Sequence, residues 1–328
     1  MVPLSGRSAM IRRRLFLAAP ALAARPAFAQ AYPGPIRLVV PFATGGTTDI
    51  IARLIAEETG RRLGTTIVVD NRPGAGATLG TGLVARAAPD RTTLLISTIS
   101  GMAVGNTLYR DRITWDADRD FAHIAMILGT PYLLLVNPAT PMHSVADFVA
   151  AAKRPGGVAY ATSGIGSVPH LVGLRLAQAA GFELQHIPYR GGSQAATDAI
   201  AGTVPSVMDS LTAASAYIRA GSLRPLAFTT RERIADFPTV PTLIESGYPD
   251  IVADGWAGIA APAGTPRALQ ERLAGAIREA MATPTIARRY AETATLPGTL
   301  FLNDAQAFVR AEIAAWAPVV RASGATPG

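Results

Sequence analysis

From residue 36 onward, short β-rich apolar runs alternate with helical stretches, and glycine crowds the changeovers. Nothing else in the sequence constrains the fold as strongly. Strands separated by helices build βαβ units, which pack as a parallel sheet with helices on its faces. Ile36 to Phe42 reads as a strand. Thr48 to Leu63 reads as a helix, with Ile50, Ile51, Leu54 and Ile55 at helical spacing, and Thr66 to Asp70 as the next strand. A Gly/Pro loop from Asn71 to Ala77, a helix from Thr78 to Ala87 and a strand from Thr93 to Ile96 follow. The pattern returns in mid-chain. Ser144, with Asp147 three residues on, resembles a capping box opening a helix through Lys153. Val158 to Ala161 and Leu184 to Pro188 read as strands around a Gly/Ser loop (162–167) and a helix from Pro169 to Ala180. Gly191-Gly192 opens a helix to Gly202, strands fall near Val207 and at Leu226 to Thr229, and helices fill 267–282, 284–292 and 304–322. A length of 328 residues suits two domains of about 150 each. The apolar runs Ile124 to Val136 and Trp256 to Ala261 sit between the blocks as candidate hinge crossings. The expected architecture is therefore two α/β lobes joined by a two-segment hinge. Residues 30–136 and 255–328 form lobe 1, and residues 137–254 form lobe 2, inserted into the first.

The N-terminus reads as a targeting segment. Arg12-Arg13-Arg14 is a basic start, Leu15 to Ala24 a short apolar run, and Ala27-Phe28-Ala29 a small-x-small cleavage site. About ten apolar residues cannot span a bilayer, which needs about 20. Residues 1–29 are thus expected to be a signal peptide and the mature protein to be exported. Arg13-Arg14-Leu15-Phe16-Leu17 also resembles a twin-arginine signal. Removing this segment changes the charge reading. The net charge is +7, but five arginines precede residue 30, leaving 25 basic against 23 acidic residues. A nearly neutral mature chain gives no basis for a nucleic-acid partner. There is no cysteine, which excludes a thiol nucleophile, disulfides and cysteine-ligated metals. His123, His143, His170 and His186 are scattered in no metal-binding pattern, so neither a metal nor a cofactor is expected.

Three strand-to-helix junctions carry the chemistry. They are Pro41 to Asp49 (PFATGGTTD), Ala161 to His170 (ATSGIGSVPH) and Pro188 to Ser193 (PYRGGS). Glycine lets the backbone turn sharply and approach a ligand. The helix start that follows offers unpaired N–H groups and a partial positive charge, and Ser and Thr add hydroxyl donors. Ligands of open α/β sheets bind at the carboxyl ends of the strands, where all three junctions fall. Asp49 and Arg53, four apart on one helix face, read as a structural pair. Asp209 follows a predicted strand and is either a cleft residue or an ordinary turn aspartate. Pro73 to Gly80 (PGAGATLG) imitates a dinucleotide fingerprint but has one residue too many before its last glycine, and Asp90 precedes the strand it should end. No G-x-S-x-G elbow is present, and His170 is the sole plausible base beside a Gly/Ser loop.

With those residues laid out, the chain resembles the Bug-type substrate-binding proteins of tripartite tricarboxylate transporters. The matching runs are VVPFATGGTTDIIAR (39–53), VVDNRPGAGATLGT (68–81), VARAAPD (84–90), ATSGIGSVPHLVG (161–173), HIPYRGGSQAATDAIAG (186–202), FPTVPTLIESGYP (237–249) and APAGTP (261–266). The resemblance implies a type II periplasmic binding protein whose lobes close over a ligand cleft. It implies a non-enzymatic periplasmic receptor that delivers a small organic carboxylate to membrane permease subunits. Carried over, the ligand residues are Phe42, Gly45, Gly46, Thr47 and Thr48 on the first lobe, and Ser163, Gly166, Ser167, His170, Gly191 and Asp209 on the second. Thr44 stands where the family has a proline and adds a hydroxyl to the first group. Two other functions stay open from the residues themselves. One is an exported α/β hydrolase using His170. The other is a periplasmic sensor that reports ligand occupancy to a signalling partner.

Overall fold

The run Ile36–Val40 (β1) is almost wholly enclosed, as a central strand covered on both faces must be. It heads a computed structural model that describes residues 34–42, 44–45, 47–90, 92–189 and 192–326. The expected signal peptide and the candidates Gly46 and Gly191 lie outside the described residues. After β1 come α1 (Thr47–Leu63), β2 (Ile67–Asn71), α2 (Thr78–Ala85) and β3 (Thr93–Thr98). A π-turn at Ser100–Val104 runs into α3 (Gly105–Leu108), and then β4 spans Phe121–Val136. The middle block is α4 (Val145–Ala152), β5 (Ala159–Thr162), α5 (Val168–Ala180), β6 (Gln185–Pro188), α6 (Gly192–Ala201), β7 (Ser206–Ser210), α7 (Leu211–Arg219) and β8 (Arg224–Phe228). The chain closes with β9 (Asp254–Pro262), α8 (Arg267–Met281), α9 (Pro284–Glu292), β10 (Leu296–Pro297) and α10 (Asn303–Ala322).

Two sheets share one long strand. In the first, the order is β2-β1-β3-β9-β4, with β1 parallel to β2 and β3. In the second, β5 runs parallel to both β6 and β7. β4 belongs to both. Its residues Phe121 to Pro131 pair with β9, and Tyr132 to Val136 pair with β7 and β8. The two apolar runs expected to be hinge crossings are thus β4 and β9, and they are hydrogen-bonded strands, antiparallel to each other. Antiparallel pairing follows from topology, since one strand leaves the first sheet for the second and the other returns. The sheets are therefore mixed, parallel only where βαβ units build them. Register shifts near Ile124 and Ile127 mark bulges in β4.

The core follows these layers. α1 and α8 cover one face of the first sheet, burying Ile51, Ile55, Leu273 and Ile277 with Leu38, Ile96 and Ile259. A second cluster runs from Met102 of the π-turn and Trp256 of the first sheet to Phe148, Tyr160 and Leu171 beside the second, with Trp316 of α10 among them. There Glu312 accepts hydrogen bonds from both indoles, Trp256 Nε1 at 2.9 Å and Trp316 Nε1 at 3.1 Å. The Arg175 guanidinium of α5 lies over the Trp316 ring. α10 thereby packs against elements of both sheets.

Candidate ligand-binding site

The first junction is held from within by Asp49. This residue is 2% exposed, and its carboxylate accepts from the Gly45 N–H (2.9 Å), Arg53 Nε (3.0 Å) and Asn71 Nδ2 (2.9 Å). Asn71 also donates to the Phe42 carbonyl, and Arg53 reaches the Asn71 Oδ1 at 2.7 Å. Burial opposes ionisation, but the bonds from Arg53, Gly45 and Asn71 and the Arg53 charge hold the carboxyl below its usual range. Asp49 and Arg53 thus form the structural pair expected from their spacing. The Gly45 N–H is thus taken up by Asp49. Gly45 keeps its turning role at a φ of +89°. Thr44 and Gly45 are exposed at the tip, Phe42 is partly buried, and Thr47 and Thr48 open α1. Asp49→Ala should cost about 2–4 kcal/mol, because it strips a buried hub and orphans the Gly45 N–H. Chemical denaturation should show a lower midpoint at unchanged m-value.

The second and third junctions form one cluster. Ser167 caps α5, accepting from the His170 N–H, and its hydroxyl donates to the Gly164 carbonyl at 2.7 Å. The Gly166 N–H donates to His170 Nδ1 at 3.1 Å. Nδ1 therefore carries no proton, and His170 acts here as a loop fastener. Its ring stacks on His186, centroids 3.9 Å apart, and His186 Nε2 lies 2.7 Å from Thr162 Oγ1. Burial depresses the His170 pKa. Burial and the neighbouring His170 bring His186 down to about 4, so the stack is neutral at neutral pH. The Tyr189 N–H donates to the Thr162 carbonyl, tying the third junction to the second. Ser163 lies partly buried beside them. Asp209 lies in the carboxyl-terminal part of β7, beside Gly192 of the third junction. Sequence reasoning missed Asn71, His186 and Gly192 as working parts. Gly192 alone gave a signal, as part of the third junction.

α3 connects the two halves. A Cβ built on Gly166 would stand 3.1 Å from Leu108 Cδ2. The loop read as a false dinucleotide fingerprint packs against α3 as well, with Gly76 beside Tyr109. Its Ala75 and Ala77 both have positive φ, so it is a tight structural loop. The Ser167 proton points at a carbonyl and His170 Nδ1 is occupied, so no nucleophile–base relay joins them. Among the described residues no group of His, Cys, Asp or Glu is placed to hold a metal.

Residues 51–325 match the model of the tripartite tricarboxylate transporter family receptor. The chain is 36% identical to protein BugT of Bordetella pertussis over 314 residues, covering 95% of this chain and 96% of that protein. Among solved structures, Rpa4515 of R. palustris with adipate is 32% identical with a TM-score of 0.76, covering 90% of this chain and all of that one. MatC of Rhodopseudomonas palustris with bound malate is 29% identical with a TM-score of 0.73, covering 88% and 100%. These matches carry the two-lobed type II periplasmic-binding fold and a receptor's role, not an enzyme's. The chain belongs to the tripartite tricarboxylate transporter receptor family.

Proposed function

We propose that the mature protein works in the periplasm, captures a small organic carboxylate between its lobes, and delivers it to the membrane permease subunits of a tripartite transporter. Residues 1–29 direct export and are removed. No helix among the described residues is long and apolar enough to cross a membrane. Lobe 1 comprises 30–136 and 255–328 and lobe 2 comprises 137–254, with the crossings near Tyr132 and Asp254, where β4 changes partners and β9 begins. The ligand lies against Phe42, Thr44, Gly45, Gly46, Thr47 and Thr48 on one side and Ser163, Gly166, Ser167, His170, Gly191 and Asp209 on the other.

The observation that carries this proposal is the placing of glycine-turned, hydroxyl-rich junctions at the carboxyl ends of parallel strands in both sheets. Such ends suit an anion without a fixed cation. The adipate and malate bound to relatives have the matching chemistry. The test is calorimetry with linear and hydroxylated carboxylates and their amides. An acid should bind 30- to 1000-fold tighter than its amide, as losing two charge-assisted bonds costs about 2–4 kcal/mol. Equal affinity for acid and amide contradicts the proposal. After incubation the acid should be recovered unchanged.

A further inference from the structure

Asp209 holds a hydrogen-bonding capacity that the described residues around it leave unused. The residue is 6% exposed. Its Oδ1 accepts the Ser210 N–H at 2.7 Å, whereas Oδ2 is buried with no hydrogen-bond partner among the described residues. A carboxylate oxygen taken out of water without a partner is a standing cost, so a native fold keeps one where something else supplies the donor. The space beside it is kept clear. At Gly192, in the first turn of α6, a Cβ would stand 2.8 Å from Oδ1 and 2.9 Å from Oδ2, so any larger residue would push the carboxylate aside. The position is at the carboxyl end of β7, alongside the junctions after β5 and β6. Nearby, burial and the charges of Asp209 and Asp254 keep the Tyr132 phenol protonated far above its usual range. Burial likewise pushes Asp209 up to about 6, against the bonds from Ser210.

We propose that Asp209 Oδ2 accepts a hydrogen bond from the ligand, which is therefore a carboxylic acid bearing a hydroxyl or amino group in addition to the carboxylate held at the glycine junctions. The inference rests on the carboxylate-receptor function proposed above and narrows its substrate class. A second ionised carboxylate is a poor neighbour for Asp209, because two buried anions repel. A hydroxyl or ammonium group supplies the missing donor, and the bond it forms is charge-assisted. Specificity of this kind is sharp, since a ligand without the donor leaves a buried acceptor bare.

The test uses the exported protein and a panel of unsubstituted C3 to C6 mono- and dicarboxylates, each beside its 2-hydroxy and 2-amino counterpart. Binding is read as a rise in melting temperature and a calorimetric Kd. The substituted acid should bind at least about tenfold tighter than its parent, and the hydroxy and amino arms separate the two donors. In Asp209→Asn that preference should shrink to about threefold or less. The variant's own melting temperature should hold or rise, because Oδ1 keeps its Ser210 contact and a bare buried charge is gone. If Asp209→Asn does not fold, Gly192→Ala, which displaces the carboxylate from the other side, should erase the preference instead. A parent acid that binds as well as its substituted counterpart, or a preference that survives in the folded variant, overturns the inference. Failure of every acid in the panel to bind is a different pattern, and it overturns the carboxylate-receptor function together with the inference.

Discussion

Gly166→Val is expected to abolish ligand binding in a protein that still folds. Gly166 has a φ of +75°, a conformation that a β-branched side chain resists. Its N–H fastens the loop to His170, and a Cβ would press to 3.1 Å from Leu108 Cδ2. Valine therefore either distorts the junction or wedges α3 away from it. The site is a surface junction, so the penalty to the free protein should stay at about 1–3 kcal/mol. The ligand-induced rise in melting temperature and the ligand-induced fall in radius of gyration should both vanish. Gly275→Ala is the matched control. Gly275 lies in α8 with nothing within 4 Å of a built Cβ and no positive φ. That change should leave affinity alone and stabilise the helix by about 0.5–1 kcal/mol. Wild-type shift and compaction in Gly166→Val would remove this loop from the site.

Asp254→Asn should stabilise the protein by about 2–4 kcal/mol at pH 8, with the gain fading towards pH 4. Asp254 starts β9 opposite Pro131, and its Oδ1 is buried with no hydrogen-bond partner among the described residues. Burial, reinforced by the charge of Glu312 and only partly relieved by Arg231, pushes its carboxyl up to about 7. A folded-state value above the unfolded one means that ionisation disfavours folding, so the penalty is full above pH 7. As the pH falls below 7 the folded protein takes up the proton first and recovers stability, and below about 4 both states are protonated. Asparagine keeps the shape without the charge. The histidines act in the opposite direction. His123 and His186 both sit near 4 in the folded protein, mainly through burial. Their contribution is full above the ordinary histidine value near 6.5 and is lost as the pH falls towards 4. The wild type should thus show a shallow stability profile between pH 7 and 4, and Asp254→Asn a steeper acid-side decline. Denaturant unfolding at pH 8, 6 and 4 would reveal both slopes. A variant gain that did not depend on pH would mean that the charge is not the cause.

Most of the βαβ organisation was legible because each unit is punctuated. Gly60 to Gly64 close α1, Ser144 and Ser167 cap α4 and α5, and Gly181 ends α5 in a left-handed turn. What was not legible lacked punctuation. α7 follows β7 without a loop, because Ser210 both ends the strand and caps the helix. The π-turn and α3 gave no signal in the sequence, since Gly101 and Gly105 weaken helical propensity there. Those glycines in fact admit Thr81, Thr78 and the Ser100 carbonyl within 3 Å of where a Cβ would be. β4 and β9 were legible as apolar runs between blocks but not as antiparallel partners, because register across more than a hundred residues has no local signal. The junction glycines and hydroxyls stood out as a candidate site because they sit at that punctuation. The partners that hold them, Asn71, His186 and Gly192, lie on neighbouring elements that only folding brings together.

The central claim, capture of a small organic carboxylate without turnover, is tested most directly by mass spectrometry of the small molecule released from protein purified from the periplasm. One small organic acid should be released in near-stoichiometric amount and should rebind to the emptied protein intact. Release of a molecule with no carboxyl group, or conversion of the acid on rebinding, would contradict it.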